Sequence, residues 1–137
     1  MQHWLLKSEP DAWSWEQQTK VKFDPWTGVR NHQAAKNLRT MHIGDEAFFY
    51  HSNIGKEIVG IVRVVREFYP DPTDEKGKFV CVDVTAVRPM TRAVTLAEIK
   101  ANPALSDIAL IRQSRLSVMP ITARQWKIIL EMGKRLT

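Results

Sequence analysis

Two segments of alternating apolar residues, Ile58 to Tyr69 and Phe79 to Arg88, constrain the fold of this chain most. Ile58, Gly60, Val62 and Val64 share one side of the first; Val80, Val82, Val84 and Ala86 share one side of the second. Successive strand residues point to opposite faces, so a period of two predicts two long strands, each with one face in a core. Between them, Asp71-Pro72-Thr73-Asp74 and Lys76-Gly77-Lys78 carry turn chemistry, and the pair reads as a loose hairpin. A chain of 137 residues is expected to form one domain, long enough for a single real core.

The flanking segments read as shorter elements. His3 to Lys7 is a first strand that leaves through Lys7-Ser8-Glu9-Pro10, and Asp45 to His51 is another. Ser14-Trp15-Glu16-Gln17 and Thr95-Leu96-Ala97-Glu98 have capping-box spacing, the second helix stopping at Asn102-Pro103. Ala34, Leu38 and Met41 fall at i, i+4, i+7 and mark one face of a helix that ends before Gly44. Near the C-terminus Thr122 and Gln125 form a capping box, and Ile121 and Trp126 a hydrophobic staple. Trp126, Ile129, Leu130 and Gly133 continue one helical face, which makes Trp126 a core residue. Strand, helices, long antiparallel strands, then helices predicts an α+β fold with a strongly bent or barrel-like sheet and helices packed on it.

Several functional classes lack their signatures. No apolar run approaches the roughly 20 residues of a membrane span, so no membrane partner is expected. The N-terminus enters a strand without a signal-peptide pattern, and Cys81 is the single cysteine. An internal disulfide and a cysteine zinc cage are thereby excluded, and the reducing cytoplasm is the expected compartment. Without HxxxH or HxH spacing no metal is expected; without a P-loop or GxGxxG no nucleotide cofactor is, and none is assigned. The net charge of +5 favours an anionic partner.

Polar clusters stand at the ends of the expected elements. Trp26-Thr27-Gly28-Val29-Arg30-Asn31 sets an indole, a flexible backbone position, a cation and an amide where a helix begins. Such a kit suits a flat, polar-edged, anionic ligand such as a nucleobase on its phosphate backbone, although a lone Trp more often closes one end of a core. His32, Lys36 and Arg39 form, with Arg30, a basic stripe that suits phosphates or is simply a solvated helix face. Lys7-Ser8-Glu9-Pro10, Tyr50-His51-Ser52-Asn53 and Arg112 to Ser117 complete the set. Ser52 or Ser8 can be combined with His51 toward a triad, but no GxSxG elbow supports one.

Taken in order, these clusters resemble the EVE domain of the PUA-like superfamily. The matching segments are Trp4-Leu5-Leu6-Lys7-Ser8-Glu9-Pro10, Trp26 to Asn31, and Gly44-Asp45 running into Phe48-Phe49-Tyr50-His51-Ser52-Asn53. Val59-Gly60-Ile61-Val62, Tyr69-Pro70-Asp71-Pro72-Thr73 and Arg115 to Thr122 add to them. The resemblance implies a single EVE domain over 1–137, a mixed β pseudo-barrel with flanking helices including a C-terminal one. It implies binding of DNA or RNA carrying a modified base, without catalysis. EVE domains are similar to YTH domains, whose aromatic cage holds a methylated adenine, and the cage Trp falls on Trp26. Tyr50, Tyr69 and Trp13 are the candidates for a second wall. The implied pocket comprises Trp26, Lys7, Ser8, Glu9, Asn31, Tyr50, His51 and Ser52, with Glu9 suited to accept from an exocyclic amine. Arg30, Lys36, Arg39 and Arg115 are the implied phosphate contacts. Two alternatives stand beside this reading: a small hydrolase of the ASCH type acting on a modified nucleoside or nucleotide through Lys7, Ser8 and Glu9, and a protein-interaction domain whose basic face meets an acidic partner.

Overall fold

In the computed structural model, which describes residues 1–134, the chain enters strand β1 (His3–Ser8) at once. Helix α1 (Trp15–Thr19), the two-residue strand β2 (Asp24–Pro25) and helix α2 (His32–Thr40) follow. Strands β3 (Glu46–His51), β4 (Glu57–Pro70) and β5 (Val80–Thr95) make the centre of the molecule. Helix α3 (Leu96–Ala101), a 3-10 turn at Pro103–Leu105, helix α4 (Ala109–Arg112), strand β6 (Val118–Ile121) and helix α5 (Ala123–Lys134) complete it.

The strands form one mixed sheet in the order β2-β5-β4-β3-β1-β6. β1 and β3 run parallel, with Lys7 opposite Tyr50 and Ser8 opposite His51; the other neighbours are antiparallel. The order does not close, so the sheet is an open pseudo-barrel of the expected α+β class. Register shifts interrupt the β4–β5 ladder in four places, and such bulges bend a strand and increase its twist. β5 runs past Arg88 to Thr95 because a wide bulge between the Ile58–Val94 and Gly60–Pro89 pairs absorbs the break in alternation at Pro89.

Three capping boxes hold the helix starts as the sequence predicts. Ser14 and Gln17 cap α1, Thr95 and Glu98 cap α3, and Thr122 and Gln125 exchange bonds of 3.0 and 3.1 Å before α5. α5 covers one face of the sheet, where Trp126 stacks on Phe48 at 3.9 Å between centroids and meets His3 at 4.3 Å. α1 lands on the opposite side of β3: Trp15 meets Phe49 edge-on at 5.4 Å. A Cβ on Gly60 would lie 2.5 Å from the Trp15 ring, so the landing point requires a glycine. Ala47, Phe48, Phe49 and Tyr50 are all buried, because β3 is covered on both faces.

Candidate functional site

The first two sequence clusters converge. A cavity of about 590 Å³ is lined by Lys7, Ser8 and Glu9 at the end of β1, by Trp13 before α1, by the run from Asp24 to Asn31, and by Ser117 before β6. Its volume lies in the range of small-molecule sites, roughly 300–1,000 Å³.

Each wall is fixed by bonds to distant parts of the chain. The Lys7 N–H donates to the Ser117 carbonyl at 2.9 Å, and its ammonium to the Ser114 carbonyl at 2.8 Å. Burial pulls the Lys7 pKa below its ordinary value. The Ser8 hydroxyl donates to the Trp13 carbonyl, and the Trp13 N–H donates to the Glu9 carbonyl at 2.9 Å. The Trp13 indole donates to Gln18 Oε1 at 2.8 Å, while the fully buried Gln18 amide reaches the Val84 carbonyl at 3.3 Å. Trp13 is thereby tied through α1 to β5.

The Trp26 segment hangs from β5 in turn. Its N–H donates to the Val82 carbonyl at 2.7 Å, and its ring meets Phe49 edge-on at 5.6 Å. Only 7% of Trp26 is exposed. The core and cavity readings of this residue therefore both apply: one part of the indole packs on Phe49 and the residue still lines the cavity. Gly28 follows with φ +87°, a left-handed conformation natural to glycine, and its N–H donates to Asp71 Oδ2 at 2.8 Å. Arg30 donates to the same oxygen at 3.1 Å and to Thr73 Oγ1 at 2.9 Å. Burial alone would raise the Asp71 pKa, but the Thr73 hydroxyl, the Gly28 and Thr73 N–H groups and Arg30 hold it below the usual value. The Asn31 side chain accepts from the Ala34 N–H at 2.9 Å and caps α2 at the cavity rim.

Other expected site residues lie elsewhere. Tyr50 is buried in the sheet, with the Lys7 ammonium 6.0 Å from its ring centre, and does not line the cavity. His51 Nε2 accepts from the Trp15 N–H at 3.0 Å, so it serves the start of α1; burial lowers its pKa and favours the neutral acceptor. The Ser52 N–H donates to the Ser8 carbonyl at 2.9 Å, holding the end of β1 from outside the cavity. Arg39 reaches the Lys78 carbonyl at 3.0 Å, and Lys36 is exposed on α2; neither lines the cavity. Arg30 lines it, but its charge is paired with Asp71, which weakens it as a phosphate contact. Arg115 stands in a neighbouring depression that shares Asn31 with the cavity and also holds Arg112 and Gln33.

Of the three candidates for a second aromatic wall, Trp13 lines the cavity and the tyrosines do not. Tyr69 instead donates to Asp83 and carries the Arg66 guanidinium 3.7 Å from its ring centre. Ser117, the end of the Arg112 to Ser117 cluster, also lines the cavity; Asp24 is a cavity residue and Asp71 a support that the sequence does not single out. Asp71-Pro72-Thr73 does carry a local signal: an Asp followed two residues later by an N–H donor, here at 2.7 Å.

The EVE domain family model matches residues 2–132. The chain belongs to the EVE-domain family. A protein of Rhodopseudomonas palustris solved by NMR is 55% identical, with a TM-score of 0.93 over 100% of this chain and 96% of that one. Human thymocyte nuclear protein 1 is 34% identical over 97% of this chain and 74% of its own length. The crystal structure of the human THYN1 protein in complex with DNA containing 5-methylcytosine matches at 33% identity and a TM-score of 0.92, covering 100% of both chains. In this EVE domain Trp13, Trp26, Lys7 and Asp24 are among the residues that the fold brings to one cavity.

Proposed function

We propose that this EVE domain is a DNA-binding module that receives a flipped, modified base of the 5-methylcytosine class in the cavity lined by Trp26 and Trp13. The observation that carries the reading is the convergence of two indoles with hydrogen-bonding side chains in one cavity of about 590 Å³. Taking a base out of a duplex costs a few kcal/mol. Stacking on an aromatic side chain returns about 1–3 kcal/mol, so polar contacts to the base edge and phosphate contacts must supply the rest. Arg115 and Arg112, in the depression adjoining the cavity, and Lys36 on α2 are suited to the flanking phosphates. The related THYN1 complex with methylated DNA supports the same partner.

Binding without catalysis fits the bonding of the β1 end. The Ser8 hydroxyl donates its hydrogen bond to the Trp13 carbonyl and the Lys7 ammonium donates to the Ser114 carbonyl, so neither is presented as a nucleophile beside a base.

The test is a fluorescence anisotropy titration with duplexes that differ only by one 5-methylcytosine. Trp26→Ala is expected to weaken binding of the methylated duplex about tenfold or more, and added salt is expected to weaken the wild type. Because Trp26 also packs on Phe49, the variant is compared after a melting curve confirms that it is folded. Unchanged affinity in the folded variant sinks the reading.

A further inference from the structure

The Asp24 carboxylate stands in the cavity wall and is used by nothing in the fold. Strand β2 sets its position, pairing Asp24 with Val84 and Pro25 with Asp83 of β5. Among the described residues no donor bonds its carboxyl group. The charged groups of the surrounding elements are otherwise engaged. Asp83 of β5 accepts from the Tyr69 hydroxyl, Lys7 of β1 binds the Ser114 carbonyl, and Arg30 pairs with Asp71. Glu9, in the turn after β1, is exposed at the cavity rim, whereas Asp24 is half-buried beside Trp26. Burial, and then the Asp83 charge, raise the Asp24 pKa to about 6.

A half-buried acceptor without a donor, beside an indole that can stack a ring, calls for a ligand that brings its own donor. 5-Methylcytosine and thymine share their ring shape and their methyl group. They differ at one edge: cytosine offers an amino group next to an acceptor ring nitrogen, thymine a carbonyl next to an N–H. A carboxyl group matches the first edge with two bonds when a single proton lies between its second oxygen and the ring nitrogen. A protonated carboxyl can also pair with the thymine edge, but the thymine carbonyl is a weaker acceptor for its proton than the basic ring nitrogen of cytosine, so the shared-proton pair favours the cytosine-type ring.

We propose that Asp24 reads the edge of the flipped base, accepting from the amino group of a cytosine-type ring and sharing one proton, taken from solvent, with the adjacent ring nitrogen. The proposal rests on the base-binding reading above and adds its selectivity: a cytosine-type ring is preferred over thymine, and its binding is linked to proton uptake. The complex holds a proton that the free carboxylate loses above about pH 6, so affinity for the cytosine-type base falls as pH rises from there. Asp24 thus replaces Glu9 as the acceptor for the exocyclic amine.

The experiment titrates wild type, Asp24→Asn, Asp24→Ala and Trp26→Ala with single-stranded oligonucleotides carrying one 5-methylcytosine or one thymine, from about pH 5.5 to about pH 8. Wild type is expected to favour 5-methylcytosine about tenfold at the acid end, with the preference shrinking as pH rises. Both Asp24 variants lose that pH dependence, and Asp24→Asn, whose amide can turn either way, admits thymine. The ratio between the two oligonucleotides cancels the titration of histidines and the general effect of charge. Binding that needs Trp26 but keeps its ratio and pH profile in the Asp24 variants overturns this proposal alone. A wild type that binds neither oligonucleotide overturns both readings. If the Asp24 variants do not fold, the wild type decides: parallel pH profiles for the two oligonucleotides overturn the proposal.

Discussion

Trp126 and Trp26 are almost equally buried, at 5% and 7% exposure, yet they sit in opposite kinds of surroundings. Trp126 has an aromatic partner stacked at 3.9 Å and a second ring at 4.3 Å, with a twelve-residue helix behind it. Trp26 has one edge contact at 5.6 Å and borders the cavity, on a segment held by a two-residue strand and the Asp71 carboxylate. Fractional burial does not separate an indole packed into the core from one that lines a cavity. What separates them is whether the neighbouring space is filled by the chain itself.

Three substitutions test that contrast, beginning with the largest effect. Trp126→Ala empties a packed site and is expected to cost about 3–5 kcal/mol, read as a lower urea midpoint; a loss below about 1 kcal/mol would remove Trp126 from the core. Asp71→Ala leaves the Gly28 N–H without its acceptor and the Arg30 charge without its counter-charge, and is expected to cost about 2 kcal/mol. Amide exchange at Gly28 should accelerate in that variant while exchange in α5 stays near wild type. Equal acceleration at both places would mean that the Trp26 wall is not a separately held unit.

The smallest effect concerns two histidines, one against Trp126 and one against the Phe49 ring that Trp26 also meets. His3 beside Trp126 and His51 beside Phe49 both have pKa values lowered, first by burial, from 6.5. Groups of this kind contribute stability above their unfolded value, and it is lost as pH falls through the folded one. Asp24 acts in the opposite sense: its raised pKa stabilises the fold below 3.8 and the contribution disappears as pH rises through about 6. His51→Gln keeps an acceptor for the Trp15 N–H and removes the titration. The difference between wild type and variant, in which His3 and Asp24 cancel, should shrink the acid loss by less than about 1 kcal/mol. Identical acid melting curves would show that losing this acceptor on protonation costs the fold nothing measurable.

Most of the fold was legible because its signals are local. The alternation of Val80, Val82 and Val84 and the three capping boxes depend on residues within a few positions of one another, and each appears where expected. β2 was not legible, since two residues that include a proline carry no period. The end of β5 was missed because the bulge at Pro89 breaks its alternation. In the site, Lys7 to Glu9 and Trp26 to Asn31 were found by residue type at element ends, and they do meet. Tyr50 and His51 have the same kind of position but do not, because β3 is covered on both faces and its polar end is consumed by α1. Asp24 and Trp13 reach the cavity only through pairings with β5 and Gln18, which no local pattern reveals.

The Asp71 clasp carries a consequence for the order in which the molecule is built. Most of the cavity residues lie between 7 and 31, ahead of the long strands in the chain. Their positions, however, depend on Val82, on Asp71, and on Ser114 and Ser117 near the end of the chain. Contacts so distant in sequence form only after the intervening chain has closed on itself. An N-terminal fragment therefore contains nearly every wall residue and no cavity. The cavity is complete only when the last strand docks against the first.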